Sequence, residues 1–77
     1  MDDEALTFGQ RAVGLSLNPS GDRYVDELKK LYAEIIDLMD ALRSSAKNSE
    51  MERLCSVAIT EAQTAQMWAV KAVTWKV

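Results

Sequence analysis

The sequence predicts an all-α fold: an antiparallel two-helix hairpin preceded by a short N-terminal helix, assembled into a homo-oligomeric helical bundle. Three observations lead there. Apolar residues recur at spacings of three and four through both long segments, as one face of a helix requires. The breaks between segments are short, and one of them gathers the single Pro and two of the three Gly. Between Leu54 and Val70 the only charged residue is Glu61, and a helix so poor in charge needs cover on every side.

Residues 3–13 are read as a short helix and 14–21 as a structured loop, because Gly14, Asn18, Pro19, Ser20 and Gly21 cluster there. The middle helix spans 22–43. Its seam is Val25, Leu28, Tyr32, Ile35, Met39 and Leu42, and Tyr24, Leu31 and Leu38 form a second apolar row beside it. The stripe is therefore wider than one partner helix covers. On the opposite face lie Asp26, Glu27, Lys30, Glu34, Asp37 and Asp40, with Asp26 and Lys30 spaced for a favourable i,i+4 pair.

A break at 44–49 leads to a second helix over 50–75, opened by Ser49-Glu50-Met51-Glu52 in a capping-box pattern. Cys55, Ala58, Ala62, Ala65, Ala69 and Ala72 form a row of small residues that permits close helix approach. So short a break makes the two helices antiparallel. At 1.5 Å per residue they would be about 33 and 39 Å long, matched well enough to pack along their length. A chain of 77 residues is one domain, 1–77, and a core this small usually needs a staple.

Composition narrows the function. There is no His and one Cys, Cys55, so neither a His/Cys zinc site nor a Cys–His or Ser–His pair can form within one chain. No catalytic constellation, metal site or cofactor is expected, and Cys55 and the acidic face read as packing and solvated surface. A single Cys also allows no disulfide within one chain, so the chain either lives in a reducing compartment, the cytoplasm being the natural expectation, or does not depend on oxidation. With 9 Lys and Arg against 12 Asp and Glu, the net charge of −3 excludes a general nucleic-acid-polymer footprint. No segment is long and apolar enough to span a membrane, and the acidic start is unlike a secretory signal. With disulfides and His-based metal sites excluded, self-association is the remaining staple, and other copies of the chain are expected to cover the helix from Leu54 to Val70.

Local cations and polar groups leave room for a small anionic ligand. Asn18, Ser20 and Gly21 precede a helix N-terminus, where free N–H groups can hold an oxyanion; the alternative is an ordinary Asn-Pro turn capped by Ser20 or Asp22. Phe8 and Arg11 pair an aromatic with a cation three residues on, which suits base stacking and phosphate contact. The other reading has Phe8 anchor the short segment to the hairpin. Lys71, the only cation between Arg53 and Lys76, either snorkels to solvent or holds an anion. Trp68 and Trp75, seven apart, read as core or interface. Thr60, Gln63, Thr64 and Gln66 are hydrogen-bonding groups that need partners in a buried helix.

The stretch Val57 to Val73 resembles the second helix of the small helical-hairpin proteins with which phages sequester cyclic nucleotide signals of the CBASS and Thoeris defences. Ala58, Thr60, Gln63, Met67, Lys71, Ala72 and Val73 carry the likeness, and Glu27-Leu28-Lys29 with Ala33-Glu34 match the first helix more weakly. The resemblance implies that Lys29 takes the place of the family's phosphate-contacting lysine. Ile59 stands where the family has a basic residue, and Gly14 where it has a stacking aromatic for which Phe8 or Tyr24 would have to substitute.

What the resemblance implies is a compact homo-oligomer, commonly a hexamer, in the cytoplasm of an infected bacterial host. It would bind cyclic dinucleotides or cyclic ADP-ribose-like signals in pockets between protomers without cleaving them. Phe8, Arg11, Asn18, Ser20, Gly21, Lys29, Thr60, Gln63 and Lys71 are the expected ligand-binding residues. The competing reading is a small oligomeric structural or assembly protein with no small-molecule ligand.

Overall fold

The computed structural model describes residues 5–76; residues 3 and 4 of the expected N-terminal helix lie outside the described residues. Three helices follow one another: α1 (Phe8–Ala12), α2 (Arg23–Ser44) and α3 (Ser49–Val73). No strand occurs among the described residues. Both long helices lie within two residues of their expected bounds, whereas α1 is shorter than 3–13 at both ends.

The local chemistry explains where α1 starts and stops. Thr7 and Gln10 cap it reciprocally, the Gln10 N–H donating to Thr7 Oγ1 at 3.1 Å and the Thr7 N–H to Gln10 Oε1 at 3.0 Å. At the other end Gly14 adopts φ 63°. The Leu15 N–H then reaches the Gln10 carbonyl at 2.9 Å and the Gly14 N–H the Arg11 carbonyl at 3.1 Å, the Schellman arrangement that closes a helix. Leu15 thereby turns inward onto the core.

α2 begins at Asp22, whose side chain accepts from the Tyr24 N–H at 2.8 Å. α3 begins one residue earlier than expected. Its cap is Asn48, which accepts from the Met51 N–H at 2.8 Å, so Ser49 is the first helical residue and the Ser49–Glu52 capping box is corrected. Asn48 displaces it because its amide oxygen reaches the same free N–H groups from an extended backbone, φ −158° and ψ 170°.

The helices pack side by side, α1 on α2 and α2 on α3, into a slab of 45 × 30 × 13 Å. The thin dimension is close to one helix diameter, ~10–12 Å. Such a layer has an edge-to-edge core and two open faces. Val13, Ala33, Ile36 and Ile59 form that core, with Tyr32, Met39 and Ala62 against it.

The buried line of α2 is therefore Val25, Lys29, Ala33 and Ile36, and the expected seam is corrected: Ile35 and Leu42 are exposed and Leu28 is half-buried. The cause is close helix approach, which favours small side chains. A Cβ on Gly9 would stand 2.2 Å from the Ala33 carbonyl oxygen, so α1 can dock only across this small-residue patch. Tyr24, Leu31, Ile35, Leu38 and Leu42 are left as an exposed apolar row.

Several expected surface polar groups turn out to be fasteners. Asp37 accepts from the Gly9 N–H and from Thr7 Oγ1, both at 2.7 Å. Asp26 accepts from Asn18 Nδ2 at 2.9 Å rather than pairing with Lys30, because the loop folds back over the first turn of α2. Arg43 joins all three helices: it bridges to Asp40 at 2.7 Å, donates to Ser56 Oγ at 3.1 Å and lies 5.6 Å from the centre of the Phe8 ring.

In α3 the small-residue row is only partly inside. Cys55 is buried and Ala62 packs against the core, but Ala65 and Ala72 are exposed in the single chain. Ile59 and Gln66 are buried in their place.

Candidate functional site

A cavity of about 330 Å³ lies where the α1–α2 loop meets the first turns of α2 and the end of α3. Leu17, Asn18, Pro19 and Ser20 line it from the loop, Val25 and Lys29 from α2, and Val70, Thr74 and Lys76 from the last turn of α3 and the residues just after it. This juxtaposition follows from the hairpin. Two antiparallel helices of nearly equal length return the end of α3 to the beginning of α2, and the α1–α2 loop lies on that same end.

Lys29 is the central polar group. It is only 7% exposed, and its Nζ donates to the Gly14 carbonyl at 3.0 Å and to the Leu17 carbonyl. Among the described residues the ion pairs are Arg43–Asp40 and Arg53–Glu50, so the buried ammonium has two carbonyl partners and no carboxylate. An ammonium has three donors. A charge held in a low-dielectric wall without a counter-ion is a strong attractor for an anion.

The loop itself is internally satisfied. Asn18 Nδ2 donates to the Asp22 carbonyl and to Asp26 Oδ1, both at 2.9 Å, while its oxygen accepts from Ser20 Oγ at 2.7 Å and from the Gly21 N–H at 3.2 Å. Ser20 Oγ in turn accepts from the Asp22 N–H at 3.2 Å. Gly21, at φ 70°, makes the turn without strain. Of the two readings of this segment, the capped turn is the one formed, with Asp22 as the cap. Asn18 and Ser20 shape the cavity wall, and the Gly21 N–H is engaged in the turn.

The remaining expected residues are dispersed. Phe8 lies under Arg43 at the hairpin end, so its cation partner is Arg43 and the Phe8–Arg11 pairing is corrected. α1 is a single short turn-and-a-half, and Arg11 on it is exposed. Gln63 Nε2 donates to the Ala12 carbonyl at 3.3 Å, tying α3 to the end of α1. Thr60 is exposed, and its carbonyl accepts from Thr64 Oγ1 at 3.2 Å.

Lys71 belongs to a second depression of about 300 Å³, with Thr64, Met67 and Trp68. Its Nζ lies 5.4 Å from the Trp68 ring centre and 5.9 Å from that of Trp75. Both indoles are more than three-fifths exposed. The Trp pair is thus outside the core of the single chain, and Lys71 lies against its rings rather than alone in solvent.

Thr74 and Lys76 are residues of the first cavity that sequence reasoning missed. Their signal was available only through the hairpin register, which brings the end of α3 back to the loop.

Residues 10–74 match the family model described as the Acb2/Tad1 hairpin domain. The chain belongs to the Acb2/Tad1 hairpin family. This is the phage cyclic-nucleotide sponge family that the α3 residues resemble. The matched stretch includes every described residue of the cavity around Lys29 except Lys76, and it covers α2 and α3 of the hairpin completely. Neither the curated proteins nor the solved structures compared with the chain give a match.

Proposed function

We propose that the protein is a phage anti-defence sponge, which binds cyclic nucleotide immune signals of the CBASS or Thoeris type and withholds them without cleavage. One observation carries the reading beyond family membership: a buried ammonium, Lys29, lies in a cavity wall with no carboxylate partner. The phosphates of a cyclic dinucleotide or a cyclic ADP-ribose-like molecule supply the missing negative charge. Asn18 and Ser20 hold the wall in shape, so little of the site needs ordering on binding.

The ligand pocket lies between protomers of a homo-oligomer, a hexamer as the family resemblance implies, acting in the cytoplasm of the infected host. A cavity of about 330 Å³ is at the small end of the ~300–1,000 Å³ range of ligand pockets. Walls from a second chain enlarge it. The exposed row of Tyr24, Leu31, Ile35, Leu38 and Leu42, and the exposed Leu54, Val57, Met67, Trp68 and Trp75, support self-association, since contiguous apolar surface of this kind marks an interface. Phe8, Arg11, Gly21, Thr60, Gln63 and Lys71 would join the ligand only if supplied across such an interface.

The same apolar rows favour one second reading, an oligomeric structural protein with no ligand. The two separate in one experiment. The protein is incubated with cyclic dinucleotides and cyclic ADP-ribose isomers, washed and heat-denatured, and the released small molecule is analysed. Recovery of intact ligand together with a rise in Tm supports the sponge; a cleaved product overturns it in favour of an enzyme, and no capture of any of these compounds leaves the structural protein.

A further inference from the structure

We infer that Lys76 is the second cation of the anion site, closing over a bound phosphate opposite Lys29; this rests on the sponge reading. The chain carries 12 acidic residues and a net charge of −3, yet among the described residues the nine that line this cavity include two lysines and no carboxylate. A local reversal of sign in an acidic protein focuses an anion where the overall field cannot. The apolar wall contributed by Leu17, Pro19, Val25 and Val70 lowers the dielectric around the buried Lys29 and so strengthens its charge.

The end of α3 is built to deliver Lys76 to this place. Thr74 closes the helix: its N–H reaches the Val70 carbonyl at 3.0 Å and its Oγ1 donates to the same carbonyl at 2.8 Å. Its backbone at φ −93° and ψ 6° takes the chain off the helical path. Lys76 follows two residues later and lines the cavity with the loop residues.

The two lysines are not equivalent. Lys29 is buried and tied to two carbonyls, so it is a fixed charge. Lys76 is exposed and free to settle on a ligand. A phosphodiester meets one cation already in place and a second that arrives with it, which suits a doubly anionic ligand such as a cyclic dinucleotide better than a neutral one.

The test titrates cyclic di-AMP and, separately, pyrophosphate into the intact oligomer by calorimetry at several salt concentrations. Lys76→Gln is expected to weaken binding roughly tenfold, as loss of one charge-assisted contact does, and to flatten its dependence on salt. Lys76→Arg retains most of the affinity. Both variants keep the parental Tm without ligand, because Lys76 is exposed. If the parent binds either probe and Lys76→Gln binds it equally well with the same salt dependence, the inference falls while the sponge reading stands. If the parent binds neither these probes nor any of the cyclic nucleotides above, both fall together.

Discussion

Gly9 rests directly on the α2 backbone at Ala33: a Cβ there would stand 2.2 Å from the Ala33 carbonyl oxygen and 2.8 Å from Asp37 Oδ1. Neither neighbour is the far end of a flexible chain, since the first is backbone and the second is held by two hydrogen bonds. Gly9→Ala should therefore push α1 off α2 and destabilise the chain by about 1–3 kcal/mol, read as a lower urea midpoint with an unchanged slope.

Asp37 is the counterpart of that contact. Asp37→Ala removes the acceptor for the Gly9 N–H and for Thr7 Oγ1, leaving a part-buried donor unsatisfied. A loss of about 1–3 kcal/mol is expected. Hydrogen exchange should locate it, with faster exchange at Gly9 and along α1 while the middle of α2 stays protected.

Lys29→Met keeps the length of the side chain and removes the ammonium. The Gly14 and Leu17 carbonyls lose their partner, so stability should drop by about 1–3 kcal/mol. Binding of a cyclic dinucleotide should fall roughly ten- to a hundredfold or more. Arg11→Ala, on a residue outside the cavity, provides the contrast. Equal binding by parent and Lys29→Met in calorimetry would remove the cavity from consideration.

Self-association is tested at Leu38, which is 61% exposed in the middle of the outer apolar row. Sedimentation of the parent at micromolar concentration should show several chains. Leu38→Lys should shift that distribution toward the monomer, with little direct effect on the single-chain core. A folded parent monomer, stable on its own at that concentration, would contradict the oligomeric part of the proposal.

Ala65 probes the small-residue row of α3 in the same way. It is exposed in the single chain, so Ala65→Leu has room there. If copies approach along this row, overpacking should weaken the assembly by roughly 1–3 kcal/mol; an unchanged oligomer and Tm would place the contact elsewhere.

The sequence alone determined the helical class, the two long helices and the hairpin, because periodic apolar spacing and turn residues act locally and leave their mark within a few residues. It also determined the likeness of α3 to its family, since that pattern lies within one helix. Which apolar row of α2 faces inward was decided by tertiary structure. Val25 and Ile36 are buried while Ile35 and Leu38 are exposed, although all are large and apolar. The choice turns on Gly9 and Ala33, whose small size lets backbones meet, a property of a pair of elements that one helix cannot display. The cavity is of the same kind. Lys29 was legible in the sequence through the family likeness, whereas its burial under the Gly14 and Leu17 carbonyls, and the arrival of Lys76 beside the loop, required the chain to fold back and place the end of α3 against the α1–α2 loop and the start of α2.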